Sequence, residues 1–194
     1  MRSALDEGGD EAQAGTVEGD TDDAISPEEQ IERALEKVRE AVAADLLHRL
    51  GAADPSFFER AVLDVLHAMG YGRSRRDLQQ VGGSSDGGID GIISLDRLGF
   101  EKVYMQAKRW QSNVGRPEIQ GFFGALSGRR ASKGVFITTA GFTREAREFA
   151  ASVDHALVLI NGRELASLMI EYGVGVSRRA EYIPQIDSDY FAED

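Results

Sequence analysis

The chain has 194 residues, of which 42% are hydrophobic and 28% charged, with a formal net charge of −11 and no cysteine. This length is enough for one domain with a substantial core. The absence of cysteine excludes disulfides, thiolate zinc sites and a cysteine nucleophile. No apolar run is long enough for a membrane span or a signal peptide, so we expect a cytoplasmic protein with no membrane partner.

The negative charge is concentrated at the N-terminus. Residues 1–30 hold ten acids and one arginine, whereas the rest of the chain holds 23 acids and 21 basic residues, a net charge of −2. Residues 1–25 lack large apolar side chains almost entirely, which predicts a disordered acidic tail. The remainder is therefore close to neutral and still has enough basic residues to contact phosphates.

A long helix is predicted from residue 26 to residue 51. Ser26 can cap it, Pro27 suits its first position and Glu29 completes a capping box. We expect Gly51 to stop it. Apolar residues at helical spacing form a stripe that packs either on the domain or on a second copy of the chain: Ile31, Leu35, Val38, Val42 and Leu46.

A second helix is predicted from Asp54-Pro55 to about Met69. Its buried face is expected to comprise Phe58, Val62, Val65, Leu66 and Met69, with Glu59 beside that face. A solvated acid near a helix start is the ordinary interpretation of Glu59. A basic, glycine-rich connection follows, with a short strand near residues 79–81.

Two strands of a hairpin come next, joined by a turn near residues 96–99. Asp90 belongs to the first strand, and Asp86 in Asp-Gly-Gly is interpreted as a turn residue. In the second strand, residues 103–108, Gln106 and Lys108 share one face because side chains alternate, while Ala107 points into a core. If Asp90 lies opposite, a carboxylate, an amide and an ammonium share one patch, which suits a hard cation and a phosphate.

The C-terminal half alternates helices and strands. Helices are predicted at 117–126, 143–153 and 164–172, strands at 134–139 and 156–160, and a turn at Asn161-Gly162. Gly121 and Gly124 suggest that the first of these helices packs closely on the sheet. The apolar residues of the C-terminal tail are expected to lie over the body: Tyr182, Ile183, Ile186, Tyr190 and Phe191. This order predicts an α/β fold, a mixed central sheet flanked by helices.

Several motifs in order carry a resemblance to a known family. They are Gly-Ile-Asp-Gly-Ile-Ile, Gln-Ala-Lys-Arg-Trp, Val-Gly-Arg-Pro-Glu-Ile-Gln and Gly-Val-Phe-Ile-Thr-Thr. Together they resemble the catalytic domain of Mrr-type restriction endonucleases, in the PD-(D/E)xK nuclease superfamily, with glutamine in place of the usual second acid. The likeness covers about residues 26–192. It implies a restriction-endonuclease-like fold and a Mg²⁺-dependent endonuclease, with Mn²⁺ able to substitute, that restricts modified DNA.

The resemblance also implies roles for individual residues. Asp90, Gln106 and Lys108 would be catalytic, and Asp90, Gln106, Glu59 and the main-chain carbonyl of Ala107 would bind the metal. The expected DNA contacts are Arg109, Arg116, Gln120 and Arg73. Lys108 would orient the attacking water and help to deprotonate it. Without the resemblance, an exposed strand face carrying unrelated polar residues would explain the same positions.

The expected organisation is a tail over residues 1–25, a helix over 26–51 and a catalytic domain over 52–194. In the family a winged-helix DNA-reading domain precedes the helix, whereas only 25 residues precede Ser26 here, so we expect a separate DNA-reading partner. A homodimer bound to DNA of the nucleoid is expected because one site cuts one strand. Two alternatives remain: a DNA-binding module with an inactive site, and a structure-specific repair nuclease for branched DNA.

Overall fold

The computed structural model describes residues 25–72, 74, 77–80 and 88–192. Residues 1–24 of the predicted acidic tail, together with Arg73 and Asp86, lie outside these residues. The chain divides into two units, residues 1–37 and residues 38–194, and the sheet belongs wholly to the second. Among the described residues, no helix is long and apolar enough to cross a membrane.

Five helices and five strands form the regular structure of the described residues, with one 3-10 turn at Asp189–Phe191 near the C-terminus. The helices are α1 (Pro27–Ala52), α2 (Pro55–Ala68), α3 (Arg116–Gly128), α4 (Arg144–Ser152) and α5 (Gly162–Tyr172). The strands are β1 (Leu78–Gln80), β2 (Gly91–Ser94), β3 (Lys102–Lys108), β4 (Lys133–Thr138) and β5 (Ala156–Ile160).

The sheet has the order β1-β2-β3-β4-β5. The first three strands are antiparallel, and β4 and β5 continue parallel to β3. A turn over residues 95–101 joins β2 to β3, whereas α3 and α4 make the crossovers that parallel strands require. The predicted mixed sheet in an α/β fold is therefore confirmed.

Each face of the sheet has its own apolar cluster. Met105 and Ala107 of β3 face the cluster formed with α2, α5 and the end of α1. Phe136 of β4 faces the cluster formed with α3 and α4, where its ring meets that of Phe122 edge-on at 5.6 Å. The predicted alternation along β3 is confirmed, and it leaves Gln106 on the α3 and α4 side.

The start of α1 matches the sequence, since the Ser26 hydroxyl accepts a hydrogen bond from the Glu29 N–H at 3.2 Å. Its end does not, because the helix continues through Gly51 to Ala52. The apolar stripe is buried only at its C-terminal end, where Leu46 is 8% exposed. The first four members of the stripe remain exposed: Ile31, Leu35, Val38 and Val42.

Two further predictions about glycines were wrong. Gly121 and Gly124 lie on the exposed side of α3 with no atom near enough to crowd a Cβ. Close packing of α3 instead occurs at Gly134 of β4, where a Cβ would come within 2.6 Å of the Leu126 side chain. Asn161-Gly162 is not a free turn, because Asn161 caps α5 through a capping box with Glu164.

The predicted placement of the C-terminal tail over the body was also wrong. Its five large apolar side chains are all exposed, from 60% at Ile183 to 94% at Tyr182. The segment after Gly175 has no regular structure until the single 3-10 turn at Asp189–Phe191. Apolar composition indicated burial, but no described part of the chain covers these side chains.

Candidate active site

The candidate site lies where β2 begins and β3 ends. Gly91, the first residue of β2, pairs with Met105, so Gln106, Ala107 and Lys108 extend β3 past its antiparallel neighbour. On the other edge of β3 these residues remain paired with β4, as far as Lys108 opposite Thr138. The end of β3 is thus supported on one side and open toward Asp90 on the other.

Two hydrogen bonds fix Asp90 against this open edge. Its N–H donates to the Met105 carbonyl at 2.8 Å, and its Oδ2 accepts from the Ala107 N–H at 2.8 Å. Partial burial raises the pKa of Asp90, and the nearby Glu59 carboxylate raises it further. The Ala107 N–H and the Lys108 ammonium act in the opposite direction and lower that pKa. The carboxylate is therefore held in one orientation and is only partly solvated.

Ala107 contributes its main chain to the same place. Its N–H donates to Asp90, whereas the next carbonyl, that of Lys108, accepts from Thr139 on the β4 side at 3.3 Å. Since the N–H and C=O of one strand residue point to the same side, the Ala107 carbonyl is directed toward Asp90. No residue of β2 lies opposite it.

Gln106 is buried, with only 6% of its surface exposed. Gly88 allows this, because a Cβ at that position would lie 2.4 Å from Gln106 Nε2. Gly88 also has a φ of +84°, a conformation that favours glycine. Gln106 therefore does not belong to an exposed strand face with unrelated polar residues. Its amide is enclosed against Gly88, two residues before Asp90.

Glu59 reaches the site from α2 and is held there by a residue that the sequence analysis did not identify. Gln80 Nε2 on β1 donates a hydrogen bond to Glu59 Oε2 at 2.8 Å. Gln80 pairs with Gly91, the residue after Asp90, which brings β1 and α2 to the site together. The only sequence signal for Gln80 was its position on a short polar strand before the hairpin.

The predicted DNA contacts are more dispersed. Arg109 follows Lys108, and its Nη1 donates to the Gly51 carbonyl at 2.8 Å. The Arg116 guanidinium lies 5.3 Å from the centre of the Phe149 ring, at the start of α3. Gln120 is exposed on α3. Arg73 is outside the described residues.

Four groups along this edge of the sheet have oxygens of the kind that a hard divalent cation accepts. They are the carboxylates of Asp90 and Glu59, which interact electrostatically, the amide of Gln106 and the carbonyl of Ala107, all of which are ligand types that Mg²⁺ accepts. Within the described part of the chain, no three Asp, Glu or His side chains converge as a metal-binding group. The site therefore has fewer charged groups than a three-carboxylate centre, because glutamine occupies position 106.

Comparisons with known proteins identify the family of this chain. A family model described as a restriction endonuclease, Mrr_cat, matches residues 50–169. The chain is 58% identical over 166 residues to the type IV methyl-directed restriction enzyme EcoKMrr of Escherichia coli (strain K12). That match covers 86% of this chain and 54% of the enzyme, so the chain spans about half the length of this relative.

A solved structure shows the same fold. The DNA modification-dependent restriction endonuclease AspBHI matches with a TM-score of 0.55 and 20% sequence identity, over 70% of this chain and 36% of that protein. The match supports a restriction-endonuclease-like fold for the sheet and its helices. The family model spans the segment that carries Asp90, Gln106 and Lys108. The chain belongs to the restriction endonuclease family defined by the Mrr catalytic domain.

Proposed function

We propose that this chain is a divalent-cation-dependent endodeoxyribonuclease that restricts modified DNA. Its family membership supports the reaction class. The name of its relative EcoKMrr, a methyl-directed restriction enzyme, supports modified DNA as the substrate. Mg²⁺ is the proposed cation and Mn²⁺ its substitute, because the available ligands are all oxygens.

The observation that carries the proposal is the bond between Asp90 Oδ2 and the Ala107 N–H at 2.8 Å. It holds a carboxylate beside the end of a strand whose last residue is Lys108. An oriented carboxylate next to a lysine ammonium is what hydrolysis of a phosphodiester requires of the protein. In this assignment Asp90, Gln106 and Lys108 are the catalytic residues.

The roles follow from the chemistry of each group. Asp90, Glu59, the Gln106 amide oxygen and the Ala107 carbonyl would hold the cation, which neutralises charge on the phosphate oxygens when bound. The Lys108 ammonium donates hydrogen bonds to the attacking water and assists the loss of its proton. Gln80 keeps Glu59 in place. The proposed phosphate contacts are Arg109, Arg116, Gln120 and Arg73.

The wider organisation is part of the same proposal. Residues 52–194 form the catalytic domain, with the helix over 26–51 and the acidic tail before it. A homodimer would supply a second site for the second strand of a duplex. A partner chain would contribute the recognition of the modified base. The expected location is the cytoplasm, on DNA of the nucleoid.

The test is cleavage of supercoiled plasmid, methylated and unmethylated, with Mg²⁺, Mn²⁺ or EDTA. We expect nicked and linear products with either cation, none in EDTA and none with Lys108→Ala. Circular dichroism of Lys108→Ala would verify that the variant is folded. Cation-dependent cutting by Lys108→Ala at the wild-type rate would refute the assignment of the site.

A second candidate function is favoured by the small number of acidic ligands, since no third carboxylate joins Asp90 and Glu59 within the described residues. The chain would then bind DNA without cutting it. Gel-shift binding of plasmid fragments with no cleavage under any cation would support this alternative. Preferential cutting of four-way junctions over linear duplexes would instead support a repair nuclease for branched DNA.

A further inference from the structure

A groove of about 620 Å³ lies directly beyond the end of β3. Its lining residues are Gly51, Arg109, Trp110, Gln111, Ser112 and Thr139. We call it the Trp110 groove. It is separate from the cation ligands Asp90, Glu59 and Gln106, and Arg109 is its only member among the predicted DNA contacts.

The floor of the groove is fixed to the sheet. The Thr139 hydroxyl donates to the Trp110 carbonyl at 2.8 Å, and the Thr139 N–H donates to the Lys108 carbonyl at 3.3 Å. Arg109, which lies between Lys108 and Trp110, donates a hydrogen bond from its side chain to the Gly51 carbonyl. The backbone is therefore hydrogen-bonded at Lys108 and at Trp110, and the Arg109 side chain between them is also bonded.

The chemistry of the groove matches a nucleotide. Trp110 is the only tryptophan of the chain, and 38% of its surface is exposed. An indole face binds bases by stacking, with little preference among them. A guanidinium has five N–H donors, of which the bond to Gly51 uses one, and its fork suits phosphate oxygens. The amide of Gln111 and the hydroxyl of Ser112 can bond to polar edges of a base or sugar.

We propose that the Trp110 groove holds one unstacked nucleotide next to the scissile phosphate, with its base against the Trp110 indole and its phosphate on Arg109. Trp110 follows Lys108 by two residues, at most about 7 Å of chain, so a nucleotide in the groove adjoins a phosphate at Lys108. This inference rests on the proposed DNA cleavage and adds to it a subsite for unpaired DNA.

Because Trp110 is the sole tryptophan, tryptophan fluorescence of the unaltered chain, excited selectively over its tyrosines, reports on the groove alone. The protein is titrated in EDTA with a blunt duplex, the same duplex with a short single-stranded overhang, and that duplex with abasic sites throughout the overhang. We expect strong quenching only with the overhang that carries bases. Equal quenching by the blunt or abasic duplex would overturn base stacking, as would no quenching by a bound overhang.

Affinity for the overhang duplex is then measured by anisotropy of a labelled strand. Trp110→Ala should weaken binding by about tenfold, because one base stacked on an aromatic ring contributes roughly that much. Trp110→Phe, which keeps an aromatic face, should stay within about threefold of wild type. The matched control is Phe100→Ala, an aromatic residue that is 83% exposed near the opposite end of β3; it should bind as wild type does.

The outcome separates this inference from the proposed function. Cation-dependent cutting without quenching, or wild-type affinity of Trp110→Ala, refutes the Trp110 groove and leaves the nuclease intact. Base-dependent quenching with no cutting under Mg²⁺ or Mn²⁺ refutes the nuclease and supports the groove. Equal losses in Trp110→Ala and Phe100→Ala would show a nonspecific loss of apolar surface and also refute the groove.

Discussion

Two residues of the candidate site, Asp90 and Gln106, have polar side chains in partly or fully buried environments. Asp90 is desolvated, and Glu59 adds like charge, so its pKa is raised. Gln106 fills a space that exists only because residue 88 has no side chain. The desolvation of Asp90 and the like charge of Glu59 oppose stability without a ligand, and a bound cation would stabilise both carboxylates.

The first prediction concerns Asp90→Asn, which should abolish cleavage yet leave the cation-free protein as stable as wild type or more so at neutral pH. A folded-state pKa that is raised gives stability that is present below the unfolded value of 3.8 and lost as pH rises through the folded value. Asparagine has no such loss, and its Oδ1 can still accept from the Ala107 N–H.

Thermal melts in EDTA and in Mg²⁺ would check this. Wild type should gain stability with Mg²⁺, whereas Asp90→Asn should gain little. When the melts in EDTA are repeated between pH 3 and pH 8, the difference in melting temperature between Asp90→Asn and wild type should grow as the pH rises. A variant that cuts DNA normally, or that melts far below wild type in EDTA, would contradict the assignment.

The second prediction concerns Gln106→Glu. It restores a third carboxylate, so the Mg²⁺ concentration needed for cleavage should stay the same or fall. Because position 106 is buried beside Asp90, the added charge should destabilise the protein in EDTA and Mg²⁺ should reverse the loss. Metal titrations of cleavage and of melting temperature measure both effects. A folded variant that needs much more metal would mean that the native amide donates a hydrogen bond.

The third prediction concerns Gln80, which holds Glu59 through one hydrogen bond. Gln80→Ala should weaken Mn²⁺ binding by about 10- to 100-fold, the usual loss when a residue that orients a ligand is removed. Titration calorimetry with Mn²⁺ measures this without DNA. Gln79→Ala is the matched control, being exposed on the same strand one position away, and should bind Mn²⁺ normally. Equal Mn²⁺ affinities of the two variants would refute the role proposed for Gln80.

At the scale of elements, β3 organises the site, because it is the strand where antiparallel and parallel pairing meet. Helices on both faces bury its side chains, while its end extends past β2 and leaves main-chain groups free to bind Asp90. Where the helices face solvent, helix propensity alone should decide the effect of a substitution. Gly121 on α3 is such a position, since nothing lies within 4 Å of the place where its Cβ would be.

The fourth prediction compares two glycines. Gly121→Ala should stabilise the protein by about 0.5–1 kcal/mol, the helical preference of alanine over glycine. Gly88→Ala should destabilise it and impair cleavage, since its Cβ would collide with Gln106 at a positive φ. Urea unfolding measures both. A neutral Gly88→Ala would show that Gln106 moves aside without cost.

At the scale of the whole molecule, charge is distributed unevenly along the chain. Residues 1–25 hold eight acids and one arginine, a net charge of −7, out of the total of −11. The remainder is near neutrality, so the proposed binding of DNA would depend on local basic residues rather than on the overall field.

The fifth prediction is that deleting residues 1–25 leaves the melting temperature unchanged and strengthens nonspecific DNA binding, most at low salt. The deleted charge repels phosphates within a Debye length, about 10 Å at 0.1 M salt. Binding of one duplex across a salt series checks this, with the full chain as control. A lower melting temperature would show that the tail is structural, and an unchanged affinity at every salt concentration would place it away from the DNA.

Much of this protein follows from local sequence. The helix starts at Ser26 and Thr143, the strand at Ala156–Ile160 and the alternation along β3 were predicted, because caps and side-chain periods act over a few residues. The family motifs identified Asp90, Gln106 and Lys108 as candidates because each motif is a short continuous stretch of sequence. The predictions were wrong where burial depended on residues distant in sequence. Gly121 and the apolar side chains of the C-terminal tail are the examples.

Only the tertiary structure decided how distant segments meet. The Asp90–Ala107 bond joins residues 17 apart in sequence, and the Glu59–Gln80 bond joins residues 21 apart. The enclosure of Gln106 by Gly88 and the fixing of Trp110 by Thr139 likewise depend on strand register and crossover geometry. The local order of residues determines which segments become helices and strands, whereas the packing of the assembled sheet determines which polar groups come within hydrogen-bonding distance of one another.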